Sequence, residues 1–250
     1  MQKRWLIIGG CVVFGVSLLA HLPAKLVLPK SAGKFQFNGI SGSVWRGEVE
    51  QLTFYGQPLP IGTLNWSVSP AALLLGTVNA DFHEQQNPGN RGSVDMNLFS
   101  RQLEVHELQW RLPAESISPW TAWAGVTAQG QFALDLQTLE LPPGETFPSQ
   151  LEGQVAWQDA VLRVGGEYWP LGSPVAQLTG GGDAITGVVN NSQPTLPGDG
   201  SFQCTLKICQ VTLRVKPTLD APQSVLNGLQ VMGFQRNGNE FSGQVSFPLE

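Results

Sequence analysis

Apolar and polar residues alternate along most of the chain beyond residue 34. The pattern is regular where Val94, Met96 and Leu98 are separated by single polar residues. Successive side chains of a strand point to opposite faces, so this alternation is typical of β-strands with one apolar face. Further segments with the same spacing are Phe35 to Phe37, Leu64 to Val68, Leu108 to Leu112, Phe132 to Leu136, Val155 to Trp157, Val211 to Val215 and Phe241 to Phe247. The chain is therefore predicted to be all-β, with mainly antiparallel strands.

Two segments break the alternation and predict short helices. Ser69 and Pro70 offer an N-cap and a first helical position, and the helix over Ala71 to Leu75 is expected to end at Gly76. A second short helix is predicted within Ala221 to Met232.

A separate apolar run, from Trp5 to Leu22, has the length of a membrane span. At about 1.5 Å per residue, its helix would be roughly 27 Å long, close to the ~30 Å of a hydrocarbon core. Lys3 and Arg4 precede the run and favour a cytoplasmic N-terminus. We therefore predict a single-pass anchor, with the bulk of the chain in the periplasm if the source is Gram-negative.

Two alternatives share this segment. A cleaved signal peptide would need a small-x-small site, which is missing after the run. A lipoprotein signal would end in a lipid-attachment box at Cys11. The apolar region before this box is only Trp5 to Ile8, which is shorter than the roughly 7–15 residues that are usual. We therefore predict that the segment is a retained membrane anchor.

Proline and glycine clusters suggest where the chain divides. The sequence Leu141-Pro142-Pro143-Gly144 is the strongest internal linker signal. The predicted organisation is a cytoplasmic tail (1–4), a transmembrane helix (5–22), a stalk (23–34), a first β unit (35–142), a linker (143–150) and a second β unit (151–250).

The two halves resemble each other weakly. Gly42 and Gly153 belong to similar strings, as do Gly76 and Gly187, and the members of each pair are 111 positions apart. A duplicated β unit explains this spacing, and coincidence in a chain rich in Gly and Val explains it equally well. Both interpretations stay open.

Charge excludes some partners. Acidic residues number 19 and basic residues 14, and two of the basic ones precede the apolar run. Nucleic-acid affinity comes mainly from neutralising phosphates, and anionic lipid surfaces likewise attract basic segments. An acidic exported part is therefore a poor nucleic-acid binder.

Two of the three cysteines lie close together in the exported part. In an oxidising compartment Cys204 and Cys209 suggest a structural disulfide. A straight strand would point the two side chains to opposite faces, so the bond requires a turn between them. Buried free thiols are the alternative.

Candidate catalytic chemistry is missing from the sequence. His83 and His106 are each followed by glutamate, but no second histidine stands four residues on, as a zinc-protease helix needs. No G-x-S-x-G elbow supplies a nucleophile. We predict no catalytic residues, no metal site and no cofactor, so an envelope hydrolase is the weakest hypothesis.

Tryptophan is abundant, with eight residues. Some occupy apolar strand positions and are expected in the core. Trp120, Trp123 and Trp169 instead lie near proline and glycine breaks, which makes them candidates for an exposed interaction surface.

Two strings of residues stand out, Gly39-x-x-Gly42-x-Val44-Trp45-x-Gly47 and Leu64-x-Trp66-x-Val68-x-Pro70-x-x-Leu73-Leu74-x-Gly76. With these strings the chain resembles the general secretion pathway protein N family, a component of type II secretion systems. The resemblance implies a non-enzymatic inner-membrane protein with a periplasmic β domain. It also implies contacts with other inner-membrane and secretin components during export of folded proteins. Edge strands of the predicted sheets would be the natural docking surface for partner β domains. The alternative is an anchored β-groove protein that binds or transfers lipid, which needs one continuously apolar, open sheet face.

Overall fold

The computed structural model describes residues 21–27, 31–32, 35–54, 57–59, 61–117, 126–145, 147–164, 166–192, 196–219, 221, 223–231 and 233–248. The chain divides into two compact units, Met1–Pro88 (unit 1) and Gly89–Glu250 (unit 2). Both consist mainly of antiparallel strands with a few short helices, which confirms the predicted strand class at this level. The predicted span lies almost wholly outside the described residues. Among the helices that are described, none has the length and apolarity to cross a membrane.

Unit 1 holds two small antiparallel sheets. Its strands are β1 Ser31–Ala32, β2 Phe35–Asn38, β3 Ser41–Gly42, β4 Arg46–Val49, β5 Gln51–Phe54, β6 Gln57–Pro58, β7 Leu64–Val68 and β8 Thr77–Glu84. One sheet has the order β1-β2-β5-β6, and the other has the order β3-β4-β7-β8. Its helices are α1 Ala24–Val27 and α2 Pro70–Leu73. As predicted, α2 begins at Pro70 after Ser69, and Gly76 closes the following turn with a φ of +75°.

The start of the predicted stalk is part of unit 1. Pro23 forms a bridge with Ser43, and the Val44 N–H donates to the Leu22 carbonyl at 3.0 Å. Ala24 is fully buried beside Ile40 and Val49 in the small core of this unit. Residues 22–24 are therefore packed against the sheet. The sequence suggested a stalk here because Pro23 is a break signal, and proline also fits the first pairing of a sheet edge.

Unit 2 is one long antiparallel sheet with a helix over one end. Its strands are β9 Arg91–Asn97, β10 Leu103–Pro113, β11 Val126–Leu141, β12 Gln150–Val164, β13 Glu167–Gly172, β14 Val175–Gly181, β15 Ala184–Asn191, β16 Gly198–Cys204, β17 Ile208–Val215, β18 Gln235–Asn237 and β19 Glu240–Pro248. The order is β9-β10-β11-β12-β14-β15-β16-β17-β19-β18, with β13 beside the second half of β12. A 3₁₀ turn, Ala114–Ile117, follows β10. The second predicted helix is α3, Gln223–Val231.

The predicted linker at 143–150 does not coincide with the division between the units, which lies at Pro88 and Gly89. Residues 142–149 instead connect β11 to β12, which pair along most of their length. Proline and glycine mark a tight connection between paired strands as strongly as they mark a linker. The two predicted β units therefore share one sheet across residue 143.

Candidate functional site: the apolar face of unit 2

Residues that pair directly across neighbouring strands place their side chains on the same face of a sheet. In unit 2 this register aligns apolar residues in rows that cross the sheet. One row, termed row 1, is Leu108, Leu136, Gly153, Leu178, Gly187, Phe202, Val211 and Val245. The next, row 2, is Trp110, Leu134, Val155, Ala176, Val189, Gly200, Leu213 and Gly243. We call the side of the sheet that carries these rows the apolar face.

The opposite face is largely polar along the same strands, with Val188 as an exposed apolar exception. The row between rows 1 and 2 on this side contains Gln154, Gln177, Ser201, Thr212 and Gln244, and all five are exposed. The sheet therefore has one face suited to water and one face without a charged residue in rows 1 and 2.

Two extra residues interrupt the spacing of the apolar rows, and a bulge absorbs each of them. The spacing from Val105 to Leu108, and from Leu136 to Leu139, is three positions rather than two. The register shifts at both places, and Glu107 takes a φ of +49°. A bulge of this kind inserts one residue and so restores the face on which the following side chains lie. Val105 and Leu139 therefore pair on the apolar face beside row 1.

One end of the apolar face is covered by α3. Val225 and Leu229 of the helix pack with Trp169, Phe234 and Phe241 in a buried cluster. Further members are Leu196 and, partly buried, Leu162, Leu171, Leu213, Val215 and Leu226. We call this region the covered part.

The remainder of the apolar face is less buried, except at Leu136, Gly153 and Gly187 of row 1. Val155, Leu178, Val189 and Phe202 are all half-buried, and none belongs to the cluster around α3. We call rows 1 and 2 from β10 to β16 the open part. The side chains at the centres of its strands form an apolar surface on which a ligand or a protein partner can lie.

The histidines do not meet in one site. In unit 2, His106 Nε2 lies 3.5 Å from Glu104 Oε2 and 3.7 Å from Asp95 Oδ2 on the polar side of the sheet. In unit 1, His83 lines a shallow groove of about 450 Å³ with Trp66 and Glu48. Across the residues that the structure describes, no three His, Cys, Asp or Glu side chains are grouped to hold a metal ion.

The glycine-tryptophan strings have a packing explanation in unit 1. Trp66 lies over Gly47, its paired residue, and a Cβ at Gly47 would be 2.3 Å from Cζ2 of the indole. The Trp66 indole N–H donates to the Val44 carbonyl at 3.2 Å. Only glycine leaves room for the ring at position 47, so these residues fix the edge of the sheet rather than form a reactive site.

The three candidate surface tryptophans have different outcomes. Trp120 and Trp123 lie outside the described residues. Trp169 is only 7% exposed and packs in the covered part, so the exposure predicted for it is wrong. The adjacent Pro170 does not interrupt β13, because it pairs with Val161 at the sheet edge. A Cβ at Gly228 of α3 would meet the Trp169 ring, which explains why the helix fits closely over it.

The cysteines of unit 2 are joined in the structure as a disulfide, at the hairpin between β16 and β17. Cys204 and Cys209 pair directly in the sheet, so both side chains lie on the same face. The turn that makes this arrangement feasible uses Thr205, whose hydroxyl accepts the N–H groups of Lys207 and Ile208. A threonine hydroxyl here stabilises a turn that lacks Gly, Pro and Asn.

Comparisons with known proteins identify the family. Residues 34–242 match the family described as type II secretion system (T2SS), protein N. Type II secretion system protein N of Vibrio cholerae is 29% identical over 224 residues, which cover 85% of each chain. The protein of the same name from Aeromonas hydrophila is 26% identical over 246 residues, covering 93% of this chain and 90% of its own. No solved structure matches. The chain therefore belongs to the type II secretion system protein N family.

Proposed function

We propose that this protein is a non-enzymatic inner-membrane component of the type II secretion system. It takes part in export of folded proteins from the periplasm across the outer membrane, through contacts with other inner-membrane and secretin components. The observation that carries the proposal is the family match over residues 34–242, which spans both units.

The N-terminal region supports the placement at the membrane. The apolar run from Trp5 to Leu22 is predicted to stay in the bilayer, with the N-terminus in the cytoplasm. Because Leu22 and Pro23 already pair with residues of unit 1, little free chain separates that run from the sheet. Leu26 and Val27 of α1, which follow that run in the sequence, are exposed apolar side chains, as expected at a lipid surface.

Export provides the test. A strain that lacks this protein is expected to retain folded exoproteins in the periplasm, and the full chain supplied from a plasmid should restore their release. The measurement is the ratio of exoprotein activity in the medium to that in the periplasm. Normal release by the deletion strain would contradict the proposal.

A second candidate function is lipid binding, which the open part favours. Uncharged rows of half-buried side chains can cover acyl chains, since removal of apolar surface from water contributes about 25 cal/mol per Å². Phe202, Leu178 and Val155 would line such a site. This candidate does not exclude the first, because a secretion component can also hold lipid.

Labelling in cells tests the second candidate independently of the first. A phospholipid probe with a diazirine in its acyl chain is expected to label peptides of β12 to β16. Leu178→Asp should lower that labelling several-fold, because a carboxylate on the apolar face repels the chain. Gln177→Asp, on the exposed polar face, is the matched control and should leave labelling unchanged. Equal labelling of both variants would rule out an acyl site on the apolar face.

A further inference from the structure

The outer edge of β19 lies open beyond its first residues. β17 pairs with β19 from Phe241 to Pro248, whereas β18 pairs only with Glu240, Phe241 and Ser242. In the described part of the chain, no strand pairs with Gly243–Pro248 on the side away from β17.

The backbone of this edge has hydrogen-bonding groups directed outward. Asn237 and Glu240 flank the two-residue turn of the β18–β19 hairpin, so Glu240 and Ser242 turn their N–H and C=O groups toward β18. Every second residue of a strand repeats that direction. Gln244 and Ser246 therefore direct their N–H and C=O groups away from the sheet. Pro248 has no N–H, so the row of outward-directed groups ends there.

Natural sheets normally block an open edge with charge, proline or a bulge. From Gly243 to Phe247 the edge has no charged residue, no proline and no register shift. Gln244 and Ser246 are exposed on the polar face, while Val245 ends row 1 of the apolar face. Both faces of the sheet thus reach this edge in a form that another strand can continue.

Resting on the proposed function, we propose that the β19 edge, Gly243–Phe247, receives an extended strand of another secretion component by antiparallel or parallel pairing. The partner strand carries apolar side chains where it continues row 1 beside Val245, and uncharged polar side chains where it lies beside Gln244 and Ser246. The edge is neutral, so an uncharged partner segment matches it and a charged one does not.

A partner held at the same membrane fits this edge better than a second copy in solution. A stable dimer interface uses roughly 20–30 residues on each side, and the open edge supplies five. A short ladder becomes sufficient when anchoring raises the effective concentration of its partner strand.

The first experiment uses the full chain in cells, with the photocrosslinker p-benzoylphenylalanine in place of Gln244. Irradiation should produce one adduct, identified by mass spectrometry as another secretion component. The crosslinker at Ser201, on the same exposed face but inside the sheet, is the control and should not produce it. An adduct with a second copy of this chain, or the same adduct from both positions, would overturn the assignment.

The second experiment places a charged side chain, which the natural edge lacks, on β19. Ser246→Lys should reduce exoprotein release at least about tenfold, the loss expected when one or two net hydrogen bonds disappear. Ser201→Lys adds the same charge to the same face and should change release less than about twofold. Immunoblotting checks that both variants accumulate equally.

The outcomes distinguish the two proposals. If the Ser246→Lys variant supports normal secretion in a strain whose export needs this protein, the β19 assignment is wrong and the proposed function still stands. If deletion itself has no effect, the proposed function fails, and the Gln244 adduct still tests the edge.

Discussion

The covered part and the open part of the apolar face are built from the same sequence pattern but have different burial. In the covered part, α3 packs over the strands, and Phe241 is only 2% exposed. In the open part, Phe202 occupies an equivalent strand position and stays half-buried. Alternation therefore specifies which face is apolar, while a separate element determines whether that face is interior or surface.

The largest expected effect compares the two phenylalanines. Phe241→Ala should lower the free energy of unfolding by about 3–5 kcal/mol, because it leaves a cavity within a close-packed cluster. Phe202→Ala should cost much less, since its ring is already partly in contact with water. Denaturant unfolding of the full chain in detergent, followed by tryptophan fluorescence, measures both. Equal losses would mean that the open part is covered as tightly as the other end.

The disulfide tests whether the strands beside the open part need a covalent constraint. Closing a loop as short as Cys204 to Cys209 is expected to contribute about 2 kcal/mol by the chain-entropy model. Cys204→Ser with Cys209→Ser should lower the free energy of unfolding by that amount. Alkylation of the wild type before reduction should modify neither residue, as measured by mass spectrometry. Two modified thiols would show that the bond is absent in the cell.

A smaller difference should separate two glycines that lie beneath aromatic rings. A Cβ at Gly228 would enter the enclosed Trp169 ring, whereas a Cβ at Gly187 would meet the half-buried Phe202 ring. Gly228→Ala should cost about 1 kcal/mol net, since overpacking exceeds the gain in helix propensity. Gly187→Ala should cost less if Phe202 can move outward. The reverse order in thermal unfolding would contradict the contrast between the two parts.

The smallest effect concerns an ion pair at the covered end. Lys216 Nζ lies 3.5 Å from Glu240 Oε2, and the lysine is largely exposed. Exposed pairs contribute roughly 0–1 kcal/mol, so Lys216→Ala should change unfolding by less than about 0.5 kcal/mol. Unfolding at low and high salt checks this value. A larger loss would show that charge, and not apolar packing, stabilises the covered part.

The strands, the two short helices and the family were accessible from sequence, because alternation, capping residues and glycine-tryptophan strings are local signals. The division of the chain into two units was not accessible from the sequence. Pro142, Pro143 and Gly144 end a strand in the same way whether the next strand pairs with it or belongs to another unit. Sequence alone therefore could not distinguish a linker from the β11–β12 connection.

The candidate site on the apolar face also depends on contacts that the sequence does not specify. The apolar positions of Leu178 and Phe202 follow from spacing, but their open surroundings depend on where α3 lies. Trp169 was misassigned for a related reason. Neighbouring proline and glycine suggested a surface loop, whereas pairing with β12 and packing beneath Gly228 place its ring in the core. Long-range contacts of this kind leave no local trace.

The bulge at Glu107 of β10 faces the bulge at Gln137, the residue at which β11 shifts register. Loss of either residue alone would restore two-residue spacing in its own strand, but it would leave the other residue without a counterpart across the β10–β11 pair, as a one-sided bulge. Loss of both would shorten β10 and β11 together and keep every apolar side chain on its present face. Family members should therefore gain or lose these two positions jointly, as a single length polymorphism shared by strands that lie about thirty residues apart in sequence.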